Sequence, residues 1–177
     1  MPLFTECYND FDQAKSERLY EHMKDIGVFH FPGGVPTSMV KDSGEQWDFP
    51  NGWSPLNHII IEGLRKSTNP KMQEEGYRLA EKWVFGNYRV YRNTHSMWEK
   101  YNVVGESKNP GSGGEYEVQD GFGWSNGVIL DLLVSYYDRM DWIVLKPNDS
   151  WIIKTNICLY IVLVVWKMSL VCFIIVS

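Results

Sequence analysis

Two loop-like stretches of this chain concentrate the side chains that could carry chemistry. The first, the tryptophan loop, spans residues 46–56 with the sequence QWDFPNGWSPL. The second, the glycine loop, spans residues 113–127 with the sequence GGEYEVQDGFGWSNG. Carboxylates in a partly apolar pocket can serve as general acid or base, and aromatic faces stack on the C–H faces of sugars. The two loops indicate a sugar-binding or acid–base site; a Trp-anchored structural loop and a solvated acidic loop are the alternatives.

Composition and spacing disfavour several other chemistries. The three cysteines lack C-x-x-C spacing and the four histidines are scattered, so neither a metal site nor a disulfide framework is predicted. The glycine loop lacks the lysine spacing of a phosphate-binding loop, and its acidic residues would repel phosphate. The net charge is −5 and the chain has no Lys/Arg run, which disfavours nucleic-acid binding. We therefore predict no metal, no cofactor and no nucleic-acid partner.

The elements that must position these loops are predicted to be helices. Helical apolar spacing and capping residues predict four of them, at 11–26, 54–67, about 70–98 and 126–140. Ser54-Pro55 and Asn69-Pro70 each combine a good N-cap with a proline at the first helical position. No convincing strand pattern occurs before residue 140. The sequence therefore predicts an all-α fold in which long loops join the helices.

The C-terminal residues differ in character from the rest. Residues 157–177 form an apolar run of 21 residues interrupted by Lys167, long enough to cross a bilayer as a helix. A β-prone tail of aberrant splicing is the alternative. We therefore predict a folded portion at 1–140, a linker at 141–156, and a transmembrane helix or aberrant tail at 157–177. The N-terminal residues show no signal-peptide pattern.

Both loops resemble motifs of one enzyme family. QWDFPNGWSPL is similar to the trehalase signature QWDxPxxWxPL, and GGEYEVQDGFGWSNGVILDLL is similar to the glycine-rich segment of the same family. The stretch FPGGVPTSM resembles the family's lead-in to the first signature. The resemblance covers about residues 2–140 and implies glycoside hydrolase family 37, whose fold is an (α/α)6 barrel, or six-hairpin toroid. It also implies hydrolysis of α,α-trehalose to two glucose molecules with inversion.

The resemblance further implies roles for individual residues. The family's general base is the Glu of an E-K-Y-(D/N) motif, which is Glu99 here; from the residues alone, Glu99 would be an exposed glutamate at a helix end. Glu115 matches a substrate-binding glutamate. The other residues expected to shape the pocket or cover it are Trp47, Asp48, Asn51, Trp53, Phe122 and Trp124.

The family's other signature, PGGRFxExYxWD, and the catalytic acid that follows it have no counterpart in this sequence. We therefore expect a C-terminal trehalase fragment forming part of a barrel, inactive alone, and placed on the extracellular side of a membrane or secreted in its parent protein. One alternative is a non-catalytic, membrane-tethered sugar-binding fragment. A second alternative is an unstable translation product with no role of its own.

Overall fold

The computed structural model describes residues 2–8 and 11–140. The described elements are mostly helical, as the sequence predicts. In chain order they are α1 (Pro2–Thr5), α2 (Gln13–Asp25), β1 (Asn51–Trp53), α3 (Ser54–Lys66), α4 (Pro70–Thr94), β2 (Lys100–Asn102) and α5 (Gly123–Ser135). The chain divides into two compact units, Met1–Tyr136 and Tyr137–Ser177, and all of these elements belong to the first.

The helix boundaries differ from the predicted ones for local reasons. Ser54 is not the cap of α3: the N-cap is Trp53, which is extended as the last residue of β1 and makes no side-chain capping bond. Asn69 caps α4 as predicted, accepting a hydrogen bond from the Lys71 N–H. This helix ends at Thr94, because His95 turns into the left-handed region at φ 59°. Helix α5 begins three residues earlier than predicted and ends at Ser135.

The prediction of no strand was wrong at a small scale. Strands β1 and β2 pair antiparallel, with Asn51 opposite Asn102 and Trp53 opposite Lys100. Three residues are too few for an alternating pattern to stand out in a sequence. The pairing matters because β1 lies inside the tryptophan loop, whereas β2 directly follows Glu99. It therefore joins two stretches that are far apart in the chain.

The core of the first unit lies between α3, α4 and α5. Its fully buried side chains include Ile61, Leu64, Leu79, Trp83 and Leu132. Gly76 lets α3 and α4 approach closely, since a Cβ there would lie 3.2 Å from both the Ile61 carbonyl oxygen and the Leu64 Cβ. The packed helices form the base from which the two loops and β2 extend.

The finer fold and membrane predictions go beyond these observations. The helices of residues 2–8 and 11–140 agree with an all-α class, and the six-hairpin toroid stays a prediction. Within the same ranges, no helix combines the length and apolar character needed to cross a membrane. The linker at 141–156 and the apolar segment at 157–177 lie outside the described residues.

Candidate active site

Glu99 lies at a bend between α4 and β2, five residues beyond the last residue of α4 and directly before β2. Its backbone N–H donates to the Gln119 carbonyl oxygen at 3.0 Å. The preceding residue, Trp98, forms an antiparallel bridge with Asp120. The glycine loop therefore pairs with Glu99 and with the residue before it. The expectation that this glutamate lies at the end of the long helix was wrong, because α4 ends at Thr94.

The Glu99 carboxylate is completely buried, unlike the exposed helix-end glutamate that the residues alone suggested. Its Oε1 accepts a hydrogen bond from the Tyr116 hydroxyl at 3.0 Å. Its Oε2 accepts one from the Gln119 backbone N–H, also at 3.0 Å. A buried carboxylate is costly unless such donors stabilise it. The two oxygens offer four lone-pair positions, and these two hydrogen bonds use only two of them.

Tyr116 responds to this carboxylate. The pKa of its hydroxyl is raised, first because it donates to Glu99, and also through loss of solvation and the negative charges of Glu99 and Glu115. The phenol therefore stays protonated and able to donate to Glu99 throughout the neutral range. Glu115 itself is exposed at the surface of the glycine loop.

A buried cation connects the two loops. Lys100 is fully buried, and its ammonium donates to the Gln46 side-chain oxygen and to the Gly113 carbonyl oxygen, both at 2.6 Å. The Gln46 amide then donates to the Tyr116 carbonyl oxygen at 2.9 Å. Burial lowers the pKa of Lys100, and the negative charges of Glu99, Asp48 and Glu117 oppose that shift.

Asn51 connects the tryptophan loop to Ser112, the residue that directly precedes the glycine loop. It is buried, with an exposed fraction of 2%. Its amide donates to the carbonyl oxygens of Asp48 and Ser112, both at 2.9 Å, and its side-chain oxygen accepts from the Ser112 N–H at 3.2 Å. A Cβ on Gly111 would lie only 2.4 Å from that oxygen, so the close approach requires glycine there. The structure thus places Asn51 as a brace behind the site.

Asp48 stabilises the turn that opens the tryptophan loop. Its carboxylate accepts hydrogen bonds from the Ser43 N–H at 2.7 Å and the Gly44 N–H at 3.1 Å, and a third from the Ser43 hydroxyl. The hydroxyl bond is the main reason that the pKa of Asp48 is lowered; the backbone bonds add to it, and partial loss of solvation opposes it.

This lowered pKa predicts a pH dependence. Because the carboxyl binds its proton less readily in the folded chain, its contribution to stability is complete above the ordinary pKa of about 3.9 and is lost as pH falls through the lowered value. We expect Asp48→Asn to flatten the acid-side loss of unfolding free energy, measured by urea titrations from about pH 5 downward. Asp42→Asn controls for the removal of one charge from the same loop. Parallel pH profiles for Asp48→Asn and the parent chain would contradict the prediction.

The aromatic residues of the two loops form a platform, which we define as Trp53, Phe122 and Trp124. The Phe122 and Trp124 rings stack at 4.6 Å with an angle of 5° between their planes. The Trp53 ring centroid lies 6.2 Å from that of Trp124. Trp124 is 43% exposed, which leaves ring surface for a ligand, and Trp47 is also about half exposed.

Reasoning from the sequence missed the residues that connect these parts. They are Gln46, Lys100, Ser112, Tyr116 and Gln119. Gln46, Lys100 and Tyr116 each lie within a quoted motif, next to a residue that was singled out. Their position next to these residues was therefore the signal available in the sequence. The sequence did not show which partners each side chain would bind.

The structure also brings together three side chains that the sequence analysis did not associate with one another. His58, Glu62 and Asp131 offer potential ligand atoms within 4.8 Å of one another. His58 Nε2 lies 2.8 Å from an Asp131 carboxylate oxygen, and Arg65 donates to both oxygens of Glu62. The first contact joins α3 to α5, and the second pairs Glu62 with a cation within α3. Because the acidic members of the group already have these partners, we assign the group no metal.

Comparison with known proteins gives one consistent result. A model of the trehalase family matches residues 1–137. Trehalase from Apis mellifera is 46% identical over 144 residues, covering 79% of this chain and 22% of the relative. A probable trehalase from Oryza sativa is 47% identical over 139 residues, covering 78% and 23%, and trehalase from Homo sapiens is 42% identical with the same coverage. The chain thus spans less than a quarter of the length of these relatives. Since the matched region contains both loops and Glu99, the chain belongs to the trehalase family.

Proposed function

We propose that this chain carries the base-bearing part of a site that hydrolyses α,α-trehalose with inversion. The observation that carries the proposal is the buried Glu99 carboxylate, held by one hydrogen bond on each oxygen. A base must be fixed in direction while retaining a free lone pair, and the two hydrogen bonds orient Glu99 while leaving lone-pair positions unused. The trehalase relatives make trehalose the substrate to test first.

In an inverting reaction the base and the acid act on opposite faces of the sugar. Glu99 takes a proton from a water molecule as the water oxygen attacks the anomeric carbon. A carboxylic acid about 6.5–9.5 Å away protonates the leaving oxygen. The motif that carries this acid in the family does not occur in the sequence. We therefore propose that the chain alone binds the sugar without hydrolysing it.

The remaining site residues supply binding. The platform gives flat apolar faces for the sugar rings, and the exposed carboxylate of Glu115 can accept hydrogen bonds from sugar hydroxyls. Asp48 and Asn51 act differently, because their polar atoms bind residues that lie just before the loops, Ser43 and Ser112. They shape the site from behind and leave sugar contact to Glu115 and the aromatic rings.

Trehalose binding by the purified chain tests this proposal. We expect titration calorimetry to detect trehalose in the millimolar range and Trp124→Ala to weaken the affinity about tenfold, which corresponds to about 1.4 kcal/mol. Sucrose, another non-reducing disaccharide, is the control ligand, and Tyr8→Ala is a control for losing an exposed ring elsewhere. Equal affinity for both sugars, or none for trehalose, would overturn the proposal.

Turnover separates the catalytic from the non-catalytic interpretation of the same site. The missing acid motif favours the non-catalytic alternative for the chain alone. Glucose release by the purified chain that disappears in Glu99→Gln would show instead that a second carboxyl is within reach. Binding without glucose release is the expected result.

A further inference from the structure

Lys100 has an environment unlike that of an ordinary surface lysine. Its exposed fraction is 0%, and its ammonium contacts two carbonyl oxygens and one amide oxygen. The acceptors are the Gln46 side-chain oxygen at 2.6 Å, the Gly113 carbonyl at 2.6 Å and the Gln46 carbonyl at 3.4 Å. All are neutral, and among residues 2–8 and 11–140 no carboxylate is hydrogen-bonded to this ammonium. Burying an ammonium group in this way is unfavourable. In return, the three N–H donors of Lys100 bind acceptors in two separate loops.

These donors begin a chain of contacts that ends at Glu99. Gln46, whose side-chain oxygen is bound by Lys100, uses its amide group to bind the Tyr116 carbonyl at 2.9 Å. Gly113, bound by Lys100 directly, lies three residues before Tyr116. The Tyr116 hydroxyl then reaches Glu99 Oε1 at 3.0 Å. Both the main chain of Tyr116 and the segment leading to it are therefore held from behind by one ammonium group.

The local backbone leaves little freedom for another arrangement. Gly114 has a φ of +95°, and a Cβ there would lie 2.7 Å from the Gln46 side chain. The Gly111 N–H donates to the Lys100 carbonyl oxygen at 3.0 Å, which fixes the start of the same segment. Lys100 follows Glu99 directly, but the two side chains have different partners: the Glu99 carboxylate binds Tyr116 and Gln119, and the Lys100 ammonium binds Gln46 and Gly113. One side chain therefore serves the site while its neighbour serves the scaffold behind it.

We propose that Lys100 is a positioning residue: its ammonium, acting through Gln46 and Gly113, holds Tyr116 against Glu99 and thereby fixes the direction of the base. The proposal rests on the proposed function only in calling Glu99 a base. The contact between Tyr116 and Glu99 can be measured without substrate. Loss of that contact and failure of trehalose binding are therefore separate results.

The test places 3-fluorotyrosine at position 116 of the full chain and follows its fluorine resonance. The fluorinated phenol titrates at a lower pH than tyrosine, which keeps the measurement in the range where the protein is folded. In the otherwise unchanged chain, Glu99→Gln should move the resonance and lower the ionisation midpoint, because the carboxylate raises the pKa of the Tyr116 hydroxyl. In a Lys100→Met background, we expect Glu99→Gln to produce less than a third of that change.

Two further variants make the outcome decisive. Lys82→Met is the matched control, since Lys82 also donates to a loop carbonyl, that of Phe29 at 2.8 Å, on a path that does not lead to Tyr116. It should leave the full effect of Glu99→Gln. Gln46→Met keeps the lysine and the side-chain volume but removes the amide link. Because Lys100 still binds Gly113 directly, this variant should give a Glu99→Gln effect between those of the parent and Lys100→Met chains. If the Lys100→Met chain lacks a cooperative thermal transition and so is not folded, the Gln46→Met chain provides the test of the proposal. A full Glu99→Gln effect in the folded Lys100→Met or Gln46→Met chain would overturn the proposal.

Discussion

In a chimera with a full-length trehalase, Glu99→Gln is expected to lower trehalose hydrolysis by about 10²–10⁴-fold, the usual contribution of a positioned general base. Glutamine keeps the shape of the side chain and can accept the Tyr116 hydrogen bond, but it cannot take a proton from water. The loss should therefore fall on kcat. The measurement is glucose release by a chimera in which residues 1–137 of this chain replace the matching segment of the Apis mellifera trehalase. The remaining segments of the relative are the part in which the family resemblance leads us to expect the catalytic acid.

Glu106→Gln is the matched control for this experiment. The Glu106 side chain is 84% exposed and lies 3.9 Å from Arg89. The substitution therefore removes one negative charge at the surface without disturbing a buried contact. We expect the control chimera to keep at least half of the parent activity. A Glu99→Gln chimera that retained a tenth of the parent kcat would remove Glu99 from the role of base.

Trp83→Ala is expected to lower the free energy of unfolding by about 3–5 kcal/mol, the range for truncating a buried aromatic side chain. Trp83 is fully buried in α4, and its ring meets Tyr101 edge-on at 5.6 Å. Its indole N–H makes no hydrogen bond within the described residues. The loss should therefore come from packing and the cavity left behind. Urea unfolding followed by far-UV circular dichroism measures it.

A second, more conservative substitution separates packing from other effects. Trp83→Phe keeps part of the ring volume and should cost clearly less than Trp83→Ala. Trp47→Ala removes a half-exposed indole and should stay within about 1 kcal/mol of the parent chain. Equal losses for Trp83→Ala and Trp47→Ala would mean that the α4 packing does not support the first unit. Tyr101, which contacts Trp83, directly follows Lys100. We therefore expect Trp83→Ala also to weaken the hydrogen bond between Lys100 and Gln46.

How far a sequence predicts a helix depends on how local its determinants are. Asn69 was predicted correctly as the cap of α4, since its side chain needs only the N–H two residues away. Ser54 was not the cap of α3, because pairing with Lys100 holds Trp53 in a strand and makes it the last extended residue. The end of α4 was missed because a left-handed His95 has no compositional signature comparable to glycine.

The site shows the same division. Residue types in fixed order were sufficient to predict the trehalase family, the mostly helical class, and the two loops with Glu99 between them. The burial of Glu99 with both oxygens bound, and the contacts by which Asp48 and Asn51 support the loops, could be read only from the folded chain. The same holds for the contacts of Lys100. Its contacts join residues 54 apart in the chain and those of Gln46 join residues 70 apart, and partners at such distances become neighbours only when helices and strands have packed.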